Sequence, residues 1–148
     1  MDPISQPTIK KGLFGTFFAF AVFGFLDSAY LTISHFLDSE LKCSLIQGCD
    51  IVTKSSFSTI GPIPVALVGL AYYLLLIVLL IAYLDRKNTK LLLIASQLTW
   101  AGFIASLYFL SVQAFVLRAF CEFCLYSALS STVLFILGFA IRKQLRRA

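Results

Sequence analysis

Four long apolar stretches take up most of this 148-residue chain and leave it few ways to fold. The first runs from about Leu13 to Phe36 and the second from Ile63 to Leu84. The third covers Leu91 to Phe115, and the fourth Cys121 to Ile141. Each is near or above the ~20 residues a helix needs to cross a bilayer. A transmembrane barrel would show shorter segments of alternating polarity instead. Apolar residues make up 59% of the chain and charged residues 13%, about half the charged share of a soluble domain. A soluble domain of this size has too little polar surface to cover such a chain. The expected fold is therefore all-α: a four-helix integral membrane bundle, residues 1–148 as one four-span domain. The first stretch is longer than a signal peptide's core and no A-x-A-like cleavage site follows it, so it reads as a retained span.

An even number of spans places both termini on one side. Lys10 and Lys11, then Arg86, Lys87 and Lys90, then Arg142, Lys143, Arg146 and Arg147 lie on that side: nine of the twelve basic residues. The positive-inside rule makes it the cytoplasmic side. The net charge of +5 is then an orienting and headgroup-touching feature rather than a nucleic-acid site. The connection from Leu37 to Pro62 (loop 1) faces outward, as does the turn near Arg118. Loop 1 is the one long connection, and its Gly61, Pro62 and Pro64 mark the end of a short surface helix or turn before the second span.

All four cysteines fall on that outer face. Cys43 and Cys49 sit in loop 1, and Cys121 and Cys124 open the fourth stretch. An outer or lumenal face permits disulfides. Cys121-Glu-Phe-Cys124 is a C-x-x-C on a first helical turn, where free N–H groups and the helix dipole stabilise a thiolate. Cys43-Ser-Leu-Ile-Gln-Gly-Cys49 has wider spacing, and Gly48 suggests a segment free to swing. A mobile dithiol beside a fixed one suits a redox relay. Two other readings stay open at this point: structural disulfides, and a Cys₄ zinc site. Either would make the chain a non-enzymatic membrane protein.

The residues also carry a resemblance. Gly24-Phe-Leu-Asp27-Ser-Ala-Tyr30-Leu-Thr lies in span one. Cys43, then Cys49-Asp50-Ile-Val52, then Ser55-Ser56-Phe57 follow in loop 1. Next come Gly61-Pro-Ile-Pro-Val65-Ala66 and Gly69, and the C-x-x-C opens span four. In this order and spacing the chain resembles the vitamin K epoxide reductase family in its single-domain microbial form, over nearly its whole length. The resemblance implies a quinone-dependent thiol–disulfide oxidoreductase. Cys43 would exchange with an external thioredoxin-fold carrier, Cys49 with Cys121, and Cys124 would face the quinone. The quinone (ubiquinone, menaquinone or a vitamin K type) would be a cosubstrate, with no metal involved. The membrane would be the cell inner or plasma membrane, or the ER membrane in a eukaryote. The resemblance marks Ser55 and Phe57 as supporting residues. Animal members carry a tyrosine four residues past the second C-x-x-C cysteine; here that position is Ala128, with Tyr126 nearby.

Several polar residues lie inside the spans. A carboxylate in hydrocarbon is costly, so Asp27 is a functional candidate, with Tyr30 and Ser34 on its helical face as expected partners. Ile63 and Val65, with Tyr126, are candidates for an apolar quinone pocket near the outer leaflet, capped by loop 1. Trp100 is expected in the core. Gly102 and Ser106 are spaced for close helix packing, and Ser127, Ser130 and Ser131 for packing or backbone bonding.

Overall fold

The computed structural model describes residues 9–147. Four long helices dominate it: α1 (Lys11–Phe36), α3 (Val65–Arg86), α4 (Thr89–Ser111) and α5 (Glu122–Arg147). Each is long and apolar enough to cross a membrane. The five-residue α2 (Cys49–Thr53) lies in loop 1. It is followed by a 3₁₀ turn (Ser56–Ser58) and a two-stranded hairpin, β1 (Thr59–Ile60) and β2 (Ile63–Pro64). The fold is the expected all-α membrane bundle with a short surface helix in loop 1.

The apolar runs become helices because nothing inside them breaks the pattern, and the breakers set the ends. Pro64 precedes α3 in an extended conformation, where a proline's fixed φ and missing N–H do no harm. Gly61, at φ +62°, takes the first turn position of the hairpin, a conformation a side chain resists. Lys87 is left-handed at the end of α3, and the Asn88 side chain caps α4 by accepting the Lys90 N–H at 3.0 Å. α5 runs six residues past the expected Ile141, because Arg142–Arg147 are good helix formers that need no hydrocarbon around them. α4 ends in a π-helical turn, Val112–Leu117.

The four long helices pack in the cyclic order α1–α3–α4–α5. Their shared core holds Phe17, Ala21, Tyr73, Leu76, Leu80, Leu92, Ala95, Leu134 and Ile141. The opposite faces carry exposed Leu, Ile, Val and Phe, as lipid-facing helices should. Gly24 lets the Tyr73 ring press against α1, where a Cβ would collide with it. Trp100 departs from expectation. It is 45% exposed on the outer side of α4, edge-on to Phe135 with the Arg142 guanidinium over its ring. Arg142 is likewise drawn into the bundle: its Nε donates to Ser96 Oγ at 3.1 Å and its Nη2 to the Ser96 carbonyl.

Candidate functional site

All four cysteines gather at the loop-1 end of the bundle. Cys43 and Cys49 are joined by a disulfide, with Cα atoms 6.2 Å apart. Cys49 opens α2 and is buried; Cys121 is fully buried just before α5. Cys49 and Cys121 belong to one apolar cluster with Leu31, Leu41 and Val52, and Cys43 and Cys124 pack at its edge. Cys121 and Cys124 are free thiols.

Two polar or backbone contacts join the two pairs, and a third fixes the turn that carries Cys121. Gly48 packs directly on the backbone of Phe120: a Cβ there would fall on the Phe120 carbonyl oxygen and lie 3.0 Å from its nitrogen. Gly48, read from sequence as a swivel, is instead a close-approach residue that sets Cys49 beside Cys121. Its φ of −155° is one any residue adopts, so space and not conformation demands glycine. The second contact is Glu122, inside the C-x-x-C. Its buried Oε2 accepts the N–H groups of Ser44 and Leu45, each at 3.1 Å, and its Oε1 accepts the Tyr126 hydroxyl at 2.7 Å. The carboxylate thus clasps the backbone that follows Cys43. The third is Gln113 in the π-helical turn. Its Oε1 accepts the Cys121 N–H at 3.0 Å and its backbone carbonyl the Ala119 N–H at 3.2 Å. This fixes the turn that presents Cys121.

The Cys121 thiol is held below its ordinary pKa, first by a hydrogen bond from the Cys124 thiol and then by the N–H groups of Cys124 and Phe123. Burial opposes this, and so does the Asp27 carboxylate. Cys121 is therefore the pair's better leaving group in thiol exchange.

A cavity of about 750 Å³ lies between the helices beneath loop 1, and Cys124 is in its wall. Cys121 is not. Ser55, Phe57 and Val65 line it; Ser55 Oγ also donates to the Val52 carbonyl at 2.7 Å, which closes the turn after α2. Ile63 and Tyr126, the other two pocket candidates, do not line it. Ile63 is 47% exposed on β2, pointing away from the bundle, and the Tyr126 hydroxyl is taken by Glu122. Asp27 is buried near the C-x-x-C but outside the cavity wall, and its Oδ2 has no hydrogen-bond partner. The expected partner Tyr30 turns away, its ring 4.9 Å from that of Phe123, and Ser34 makes no bond to it either. Among the described residues, no three His, Cys, Asp or Glu side chains gather as a metal would require. A smaller cavity of about 240 Å³ lies beside the loop disulfide, bounded by Leu41, Cys43 and Gln47–Ile51.

Sequence reasoning missed Gln113, Glu122 as a clasp, and the contact role of Gly48. An amide near the end of the third apolar stretch, eight residues before Cys121, is the faint signal that could have pointed to Gln113. Ser130 is backbone-bonded as expected, to the Phe20 carbonyl at 2.8 Å, but the Ser131 hydroxyl has no partner.

A profile of the vitamin K epoxide reductase family matches residues 16–139. Comparison with curated proteins returns no match. The match takes in all four cysteines, all of α3 and α4, and most of α1 and α5. The chain belongs to that family, and it is a multi-pass membrane protein of the thiol–disulfide oxidoreductase class.

Proposed function

We propose that this vitamin K epoxide reductase family member passes electron pairs from an external dithiol protein through Cys43/Cys49 to Cys121/Cys124 and on to a quinone. The observation that carries the reading is the shared burial of Cys49 and Cys121 in one cluster while Cys124 opens into the cavity. A relay needs its donor sulfur beside one cysteine of the acceptor pair and its final acceptor beside the other.

The steps balance. An external carrier of thioredoxin fold reduces the loop disulfide through Cys43, leaving two thiols there. The Cys49 thiolate then attacks Cys121 in the Cys121–Cys124 disulfide; a Cys49–Cys121 bond forms and Cys124 leaves as thiolate. Cys43 attacks Cys49, closing the loop disulfide and releasing Cys121, whose low pKa favours departure. The arrangement described here, loop pair bridged and helix pair reduced, corresponds to that stage. A bound quinone supplies the sink for two electrons and two protons as Cys121–Cys124 closes again. The cavity suits such a molecule: it is mostly apolar, lies within the bundle and has Cys124 in its wall. Ser55 and Phe57 shape its loop-1 side.

The basic residues at the termini end support, by the positive-inside rule, a cytoplasmic position for that end and an outer or lumenal one for the cysteines. The test is quinone-dependent oxidation of an added dithiol by the purified protein. Cys124→Ala should abolish it with every donor. Cys43→Ala should spare a small dithiol more than a protein dithiol. Stoichiometric bound metal without quinone reduction would overturn the reading.

A further inference from the structure

Asp27 lies well inside α1, 9% exposed, and the relay leaves it without a task. Its buried Oδ2 has no hydrogen-bond partner, and the tie to Tyr30 and Ser34 that periodicity suggests is not made. A carboxyl group kept in such a place with no bond to hold it is a candidate for chemistry rather than for packing.

Ring contacts fix what it faces. Phe23, Asp27 and Tyr30 share one face of α1, four and three residues apart. Phe23 meets Tyr126 of α5 with ring centroids 6.4 Å apart, and Tyr30 meets Phe123 at 4.9 Å. The two helices run in opposite directions, so the contacts that bracket Asp27 on α1 bracket Cys124 on α5. One turn further along α1, Leu31 packs in the cluster that buries Cys49 and Cys121. Ser28, next to Asp27, stands with Cys124 in the wall of the large cavity. The Asp27 charge is felt at Cys121, whose thiolate it opposes. Asp27 itself is outside the cavity wall, so it faces the helix pair and not a bound quinone.

The other titratable groups around Asp27 are already committed. α1 packs on α3 and α5, with loop 1 at its outer end. From α3 comes Tyr73, whose ring presses on Gly24 and whose hydroxyl donates to the Ser127 carbonyl. From α5 comes Tyr126, whose hydroxyl donates to Glu122, and that carboxylate also accepts from loop 1. Cys49 of loop 1 is in its disulfide. That leaves Cys121 and Cys124, the free thiols. A dry site does not readily hold a carboxylate and a thiolate side by side, because like charges repel there, and one proton shared between them removes one of the charges.

We propose that Asp27 is the proton store of the helix pair, giving a proton to Cys124 when the pair is reduced and taking it back when the pair is oxidised. This rests on the relay proposed above. When Cys124 leaves as thiolate, the Asp27 O–H bond breaks, a Cys124 S–H bond forms and Asp27 remains as carboxylate. When the pair delivers its two electrons, the S–H proton returns to Asp27 and the sulfurs close to the disulfide. Asp27 loses and regains one proton per turnover, with no net change. The two protons that the loop thiols shed balance the two that the quinone takes up.

The test uses the full-length protein in detergent, with Cys43→Ser and Cys49→Ser so that only the helix pair reacts, and compares it with the same protein carrying Asp27→Asn. The pair is reduced, and alkylation of Cys124 by iodoacetamide is followed by peptide mapping from about pH 7 to pH 8.5, up to the ordinary thiol pKa. With Asp27 in place, the Cys124 thiolate arises by moving a proton within the site, so the rate should change less than about twofold over that range. In Asp27→Asn the proton must leave for water, and the rate should climb about tenfold per pH unit. The second readout is oxidation of the reduced pair by 2-methyl-1,4-naphthoquinone. It should be roughly 100-fold slower in Asp27→Asn near pH 7, with the gap closing as pH rises. Parallel climbs of about tenfold per pH unit in both proteins would overturn the store, by showing that Asp27 acts through its charge alone or only fills space. The profile with Asp27 in place decides this even if the variant melts low. An equal loss of naphthoquinone rate at every pH, with a lowered melting temperature, would overturn it too, by showing a structural tie. A flat alkylation profile in a protein that oxidises its helix pair with no naphthoquinone would uphold the store and remove the quinone reading instead.

Discussion

The loop pair and the helix pair are both dithiols, but they are mounted in opposite ways. Cys121 and Cys124 begin a 26-residue helix that packs on α1 and α4 along its length. Cys43 and Cys49 sit in a connection whose regular structure is a five-residue helix and a two-residue-per-strand hairpin. The helix pair takes its position from the bundle core. The loop pair takes its position from the small apolar cluster that buries Cys49 with Leu31, Leu41, Val52 and Cys121, and from contacts made by residues next to the cysteines: Gly48 on Phe120, and the backbone of Ser44 and Leu45 on Glu122. A short connection opens more easily than a long helix packed along its length. On the proposed relay, such opening would present the loop pair to a partner protein and closing would return it over Cys121. The exchange chemistry is the same for both pairs; the mounting divides the roles.

That contrast can be broken most strongly at Gly48. Gly48→Ala drives a methyl group into the Phe120 backbone, which cannot yield as a side-chain tip can. Transfer from a protein dithiol should slow roughly 100-fold, the cost of a misplaced reacting atom. Direct reduction of Cys121–Cys124 by a small dithiol should hold within a few fold. Parallel assays with the two donors measure this.

Glu122→Ala comes next. It removes the clasp while leaving both cysteine pairs intact. Protein-dithiol turnover should fall about tenfold as the docked loop becomes less populated, and limited proteolysis should cut loop 1 faster. Gln113→Ala acts on the helix pair instead. It leaves the buried Cys121 N–H without an acceptor, which costs about 1–3 kcal/mol. Chemical denaturation should register that loss, and both donors should lose activity equally. The smallest effect is on pH dependence. Because the Cys124 thiol is the main cause of the lowered Cys121 pKa, Cys124→Ala should move the pH profile of Cys121 alkylation upward. Asp27→Asn should move it slightly downward, since the Asp27 carboxylate opposes the Cys121 thiolate.

The bundle was legible in the sequence because an apolar run of twenty or more residues has few outcomes in water or lipid. The gathering of all four cysteines at one end was legible because span parity assigns a face to each connection; an order among them came only from the family resemblance. What escaped notice depends on contacts between distant residues. Glu122 meets Ser44 and Leu45 across 78 and 77 positions, and no local pattern signals that. Gly48 looked like a hinge because glycine's freedom is a local property, while its actual use is room for a backbone seventy-two residues away. Tyr30 shares a helical face with Asp27 by periodicity, yet its ring leans on Phe123 of another helix, and spacing alone cannot show which neighbour wins. Trp100 looked central because it lies mid-span; depth in the membrane does not tell which side of a helix faces lipid.

The central claim is that Cys49 and Cys121 are the sulfurs through which the two pairs meet. The direct measurement is peptide mapping, without reducing agent, of the Cys43→Ala/Cys124→Ala double variant after mild oxidation. Each resolving cysteine is then missing, so a bond between the remaining two persists once made. The expected result is a cross-linked peptide joining Cys49 to Cys121 in most of the protein. Recovery of Cys49 and Cys121 as separate, unlinked peptides would contradict the relay.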